Sequence, residues 1–308
     1  MQKTYHSFKE KYDAVFGFNT YNKLLEAQKQ YCDDKYLRFN KNKINFNELN
    51  AFLTSNRIKY EKTFIDNCLK IKKTFFSLSS SIPYLTGCIY MQDIASQIPV
   101  LCINFDVLES NAKDRKIQIL DMAAAPGSKT TQIADILSFK KIPYVIDAIE
   151  PDQKRIEKLV NNVQIQGCKN VKFFNCSAQN FKTDKKYDII LLDAPCSGNL
   201  IGDKNWLKKR SINDIIKKSQ IQKELLLKAY DLLKKGGTMI YSTCSIEPEE
   251  NEMNIQYITK IKHDLIEEKI DIKIPFDTKS MYNMKSLRFM PHISKTQGFF
   301  VSKLVKKN

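Results

Sequence analysis

The chain has 308 residues, 43% of them hydrophobic, and a formal net charge of +16. That apolar content is ample for one large packed domain with a smaller companion, and the lack of any run of about 18 apolar residues excludes a spanning helix. The opening stretch MQKTYHSFKEKYDA lacks the apolar core of a secretory signal, so the expectation is a soluble, cytoplasmic protein.

Lys and Arg outnumber Asp and Glu by 15 to 8 over residues 1–80 and by 10 to 4 over residues 203–235. Those two segments are the candidate basic surface for a polyanionic partner. The chain is rich in Lys, Asn and Ile throughout, so charge alone raises the case for nucleic acid only modestly. Its eight cysteines form no CxxC pair and its three histidines are scattered, which argues against a zinc site and for mostly reduced, buried thiols.

In chain order, residues 19–31 and 61–73 read as helices around RFNKNKINF (38–46). Tyr36, Arg38, Phe39 and Lys41 mix aromatic and basic side chains as RNA contacts do, and ordinary core packing accounts for them equally well. FFSLSSSIPYLTG (75–87) reads as a connector. The resulting division is a small domain over 1–80 and a large one over 81–308.

Beyond residue 116 apolar runs alternate with helical stretches. Strands are expected at 116–123, 144–150, 171–176, 187–194, 237–244 and 298–306. Helices are expected at 127–139, at 151–167 between Pro151 and Gly167, and at 212–237, an amphipathic run ended by glycines. A further helix at 247–261 opens with an acidic turn suited to the macrodipole. The alternation predicts a doubly wound α/β fold with a mostly parallel sheet and a ligand beyond the carboxyl ends of its strands.

Four of those strand ends carry chemistry. In LDMAAAPGSKT (120–130), Ala123, Ala124, Ala125, Pro126, Gly127 and Ser128 form a small-residue turn that leads into the helix carrying Lys129. Such a turn suits close ligand approach to backbone N–H groups, or simple close packing; it is neither a P-loop nor a three-glycine fingerprint. Glu150 ends the second strand, where an acid can bind ribose hydroxyls or stabilise the next helix. LLDAPCSG delivers Asp193 and Cys196, and YSTCSI delivers Cys244. A lone buried cysteine is usually a small hydrophobe; two at neighbouring strand ends, flanked by Ser and Thr, suit a solvated site better.

Taken together, LDMAAAPGSKT, LLDAPCSG and YSTCSIEPEENE resemble the RNA cytosine-C5 methyltransferases of the NOP2/Sun (RsmB-like) family. GCIYMQDIASQIPV (87–100), LRFMPH (287–292) and TQGFFVSKL (296–304) extend the likeness over about residues 85–305, with a weaker echo near Arg38–Asn40. The resemblance implies a doubly wound, seven-stranded Rossmann-like class I methyltransferase sheet with a small N-terminal α+β (RRM-like) domain. It implies S-adenosyl-L-methionine as cofactor and RNA as partner; we expect no metal, a monomer, and rRNA slightly ahead of tRNA, since the sequence shows no recognisable extra tRNA-binding module. By resemblance Cys244 is the nucleophile toward cytosine C6, and Cys196 assists breakdown of the adduct. Asp193 contacts the cytosine edge, supported by Lys129. The cofactor lies against Ala123–Lys129, Glu150, Arg155 and Asp193. Ser177 stands where the family usually has an Asp near the adenine, which puts that contact in doubt. A non-catalytic RNA-binding ribosome-assembly factor is the alternative, and the joint presence of Cys196, Cys244, Asp193 and Lys129 argues against it. DNA enzymes place their nucleophile at the Pro-Cys position instead.

Overall fold

The computed structural model describes residues 5–112 and 115–308; residues 1–4 of the opening stretch and 113–114 lie outside the described residues. Twelve strands appear among the described residues: β1 Lys35–Phe39, β2 Lys59–Lys62, β3 Cys68–Lys73, β4 Ile89–Met91, β5 Ile117–Asp121 and β6 Tyr144–Ile149. They continue with β7 Val171–Phe174, β8 Tyr187–Asp193, β9 Leu233–Thr243, β10 Leu265–Glu268, β11 Leu287–Phe289 and β12 Phe299–Lys306.

The large sheet has the order β10-β12-β9-β8-β5-β6-β7, with β11 as an eighth strand along β12. From β7 to β9 the strands are parallel, and β12 runs antiparallel to β9. Alternation along β8 supplies both faces. Ile189 and Leu191 pack with Ile133 and Leu137 of the helix Ser128–Phe139, while Ile190 and Leu192 pack with Leu225 and Leu226 of the helix Ile212–Leu232. The chain leaves β5 toward β6 and β7 and returns to β8 on the other side, so the switch point lies between β5 and β8. No helix among the described residues is long and apolar enough to cross a membrane.

The small antiparallel sheet has the order β2-β3-β1-β4. Its residues 61–73, expected as a helix, form parts of β2 and β3. Alternate residues Leu69 and Ile71 are buried against Leu49 and Leu53 of the helix Phe46–Ser55, so the period of two prevails over the helical pattern. Two findings bear on a boundary at residue 80. β4 joins the small sheet from beyond it. The helices Phe8–Phe16 and Thr20–Tyr31 leave the small sheet and set Tyr12 and Leu24 against Leu200, Trp206 and Ile246.

Both faces of β1 are covered. Leu37 and Phe39 face the helix Phe46–Ser55, while Tyr36 joins the core that holds Ile98 and Ile133. Arg38 is buried and pairs with Asp135, donates from Nη2 to Thr131 Oγ1 at 3.0 Å and from Nε to Gln92 Oε1 at 3.0 Å. Asn40 donates to the other Asp135 oxygen at 2.9 Å. Tyr36, Arg38 and Phe39 are therefore core and clamp residues rather than RNA contacts; Lys41 is more exposed and pairs with Asp66. Arg38→Ala leaves the Asp135 carboxylate without its cation, and we expect a loss of about 3–5 kcal/mol. Burial already raises the Asp135 pKa, with Arg38 opposing. The loss should therefore shrink as pH falls and Asp135 takes a proton in the folded state, as urea midpoints at neutral and acidic pH would show.

Two helix limits also move. The run expected as helix 212–237 stops at Leu232, and Lys234–Gly237 belong to β9. A register shift against β8 and a positive φ of 73° at Gly236 place these glycines in a strand irregularity. The last long helix starts at Glu252, not at 247. Glu247, Glu250 and Glu252 are fully buried, so they are not a solvated acidic turn.

Candidate active site

The turn after β5 reads as the sequence suggests. Asp121 is buried, accepts from Thr130 Oγ1 at 2.7 Å, and burial pushes its pKa to about 6. Ala123–Pro126 follow, with a cis Ala125–Pro126 peptide. Gly127 caps the helix at a φ of 101°, and a Cβ there would meet Leu159 Cδ1 at 3.0 Å. Both facts call for glycine.

Glu150 follows β6 and is almost fully buried. Its carboxylate accepts from the Asp152 N–H at 3.1 Å and from Arg155 Nη1 at 3.4 Å. Arg155 also donates to Ala125 O at 2.8 Å, so it bridges the first two strand ends. Among the described residues these are the only side-chain partners of Glu150, which leaves acceptor capacity for a vicinal diol. Ser177 follows β7, half-buried, and makes no side-chain bond to the short turn that it precedes.

Across the switch point Lys129 and Asp193 pair at 2.6 Å. Ser96 accepts from Lys129 Nζ at 3.0 Å, and Ser242 donates to the other Asp193 oxygen at 2.7 Å. Asp193 is about a third exposed and Lys129 is buried, so the pair presents a carboxylate edge over a fixed cation.

Cys196 and Cys244 meet at 2.9 Å, sulfur to sulfur, and both are free thiols, half-buried. The register explains the meeting: Asp193 pairs with Ser242 across β8 and β9, and both chains turn toward the same edge. The hydrogen bond with Cys244, then burial, raises the Cys196 pKa well above its usual value.

Sequence reasoning missed the residues that hold these turns. Asn199 donates to Cys244 O at 2.6 Å and to Gly298 O at 3.2 Å. Trp206 Nε1 donates to Ser197 O at 2.7 Å. Glu250 accepts from the Ser197 N–H at 3.0 Å, from Ser245 Oγ at 3.1 Å and from Gln222 Nε2 at 2.7 Å, and also bonds Ser197 Oγ. Burial raises its pKa to about 6. Glu247 takes Lys11 at 2.6 Å and Tyr12 at 2.6 Å, and Glu252 takes Arg288. The signal was the density of acids in IEPEENE directly after the second cysteine. No group of three or more His, Cys, Asp or Glu among the described residues is placed to hold a metal ion.

Comparison with known proteins gives a consistent pattern. The family model described as 16S rRNA methyltransferase RsmB/F matches residues 106–305. The tRNA (cytosine(72)-C(5))-methyltransferase of Pyrococcus horikoshii is 36% identical over 231 residues, which are 75% of this chain and 55% of that protein. Ribosomal RNA small subunit methyltransferase F of Escherichia coli O1:K1 is 35% identical over 234 residues, 74% of this chain and 47% of that one. The chain thus spans about half the length of these curated relatives. Among solved structures, a methyltransferase homolog protein from Pyrococcus horikoshii superposes with a TM-score of 0.78 at 30% identity, covering 96% of this chain and 93% of its own. NSun6 from Pyrococcus horikoshii, solved with SFG, shares the fold with a TM-score of 0.84 at 24% identity, covering 99% and 98%.

Proposed function

The chain belongs to the RsmB/F methyltransferase family, and on that premise we propose that it transfers a methyl group from S-adenosyl-L-methionine to C5 of a cytosine in RNA. The observation that carries this reading is the pair of thiols 2.9 Å apart beside the Lys129–Asp193 pair. We place ribosomal RNA ahead of transfer RNA, because the matching family model is described for 16S rRNA, although one relative is named for tRNA.

The residues present fit the cofactor. Ala123–Ser128 offer a turn of small side chains at a helix N-terminus, with Gly127 in a left-handed conformation that favours glycine. Buried Glu150 keeps acceptor capacity for ribose hydroxyls, with Arg155 fixing it against Ala125. When bound, S-adenosyl-L-methionine supplies the electrophilic methyl group that an activated C5 takes up.

Cytosine C5 is a poor nucleophile, and the protein's thiols remedy that. The Cys244 thiol gives its proton to solvent and its sulfur adds to C6, so the S–C6 bond forms as the C5=C6 π pair shifts to C5, which gains enamine character. After methylation the C5 proton passes to solvent water as base, its C–H pair re-forms the C5=C6 bond, and the S–C6 pair leaves with the Cys244 sulfur as thiolate. Asp193 accepts from the cytosine N4 amino group and, once N3 is protonated, from N3–H, and that protonation favours attack on C6, with Lys129 holding the carboxylate in place. Cys196, whose sulfur lies 2.9 Å from that of Cys244, serves release rather than attack. A buried target base must be flipped out or single-stranded to reach this site.

The purified protein should transfer labelled methyl from the cofactor to total RNA, and bisulfite sequencing should read the product as protected cytosines. Absence of label, or label on another base, would sink the reading. Glu150→Ala should weaken cofactor binding by about 1–3 kcal/mol, the loss when hydrogen bonds to a charged group go; calorimetry with the cofactor alone checks it.

A further inference from the structure

We infer that Glu250 is a positioning residue that locks the two cysteine turns together and so sets the meeting of Cys196 with Cys244. Each cysteine is followed by a serine, and both serines end on one carboxylate. Ser197 and Ser245 bond Glu250 Oε1, their own oxygens lying 3.4 Å apart. The Ser197 N–H donates to Oε2 at 3.0 Å. Gln222, from the helix Ile212–Leu232, closes that same oxygen at 2.7 Å and reaches Pro195 O at 3.1 Å, gripping the Cys196 turn from its other side.

Glu250 is itself anchored. Its backbone carbonyl accepts from Tyr241 OH at 2.5 Å and from Asn254 Nδ2 at 3.1 Å. Tyr241 lies on β9, three residues before Cys244. The carboxylate therefore ties the end of β9 to the turn after β8 through both its backbone and its side chain.

The donors are all neutral. The nearby cations are engaged elsewhere: Lys11 pairs with Glu247 and Glu249, and Arg288 with Glu252. A fully buried carboxylate with no cation is costly, and it is kept here where four donors from three separate segments converge. Its geometry is what the site uses. A carboxylate can accept from all four at once; an alanine leaves both serines and Gln222 without that shared partner.

This inference rests on the proposed methyl transfer, with Cys196 acting in release. Under it, Glu250→Ala still attacks C6 and still transfers methyl. Release slows roughly 10–100-fold, the loss that a misplacement of about 1 Å brings, and a protein–RNA adduct builds up on denaturing gels. Glu250→Gln recovers release. Its amide oxygen can serve the Ser197 N–H and Gln222, while the serine hydroxyls rotate to accept from its NH₂. A fold-only role would move thermal stability without this pattern.

A thiol readout separates the clamp from the reaction. Diamide takes two hydrogens from a thiol pair, becoming a hydrazine as the disulfide forms. Peptide mapping should show rapid Cys196–Cys244 joining in the wild type and Glu250→Gln, and slow joining in Glu250→Ala. Should Glu250→Ala fail to fold, the Ser197→Ala, Ser245→Ala double variant removes both hydroxyl arms and should slow joining likewise. Unchanged joining in the folded variants overturns the clamp whatever the protein does to RNA. Wild-type protein that joins its thiols in this Glu250-dependent way but never labels RNA overturns the functional reading and leaves the clamp standing.

Discussion

Cys244→Ala is expected to abolish methyl transfer and covalent capture of RNA together. Without a sulfur to add at C6, C5 never becomes enamine-like, and the loss should reach about 10⁴-fold or more, as for other enzymes deprived of their nucleophile. The neighbouring groups remain. Lys129 and Asp193 keep their 2.6 Å pair, and Asn199 still has the residue-244 carbonyl to bond, because that contact is to the backbone. Cofactor affinity should therefore be unchanged by calorimetry, which separates a chemical defect from a collapsed site. Substantial residual methylation by Cys244→Ala would show that this sulfur does not start the reaction.

Much of this candidate site could be read from sequence because the residues proposed for it sit where apolar runs end. Asp121, Glu150, Asp193 and Cys244 all lie at or just past the carboxyl ends of parallel strands, and that position is set by the doubly wound topology. The holding residues were not legible, because their partners are remote in the chain. Glu247 meets Lys11 across 236 positions and Glu250 meets Ser197 across 53. From sequence alone, acids at a helix start look like macrodipole partners. In the N-terminal region the obstacle was different. Aromatic and basic residues on β1 resembled an RNA platform, yet a strand between two bodies must bury both faces, and Arg38 is spent on Asp135. The segment 61–73 failed on periodicity, since two short strands around a turn imitate one helix.

The same reasoning explains why the large sheet was the secure part. β8 presents an unbroken apolar run from Ile189 to Leu192, buried on both faces, as a central parallel strand requires. Nothing local competes with that pattern. At Gly236 and Gly237 a local rule did compete: glycines after an amphipathic helix signal its end, whereas here the helix has already stopped and the glycines bend β9 into register with β8.

Cys196→Ala should give the opposite phenotype to Cys244→Ala. Attack and methylation proceed, since the Cys244 sulfur is intact. The S–C6 bond then persists, because the thiol that sits 2.9 Å from the leaving sulfur is gone. Turnover should fall to roughly a single event per enzyme, with a methylated protein–RNA adduct that survives denaturation. Both variants should remain folded. Each removes one sulfur from a half-buried position, far less than the core truncations that cost about 2–5 kcal/mol. The measurement is a denaturing gel of each variant with labelled RNA and cofactor, and the double variant as control. Loss of adduct in the double variant would tie capture to Cys244. If the stable adduct instead formed in Cys244→Ala and was absent from Cys196→Ala, the roles would be reversed. The Pro-Cys turn would then be the site of covalent chemistry.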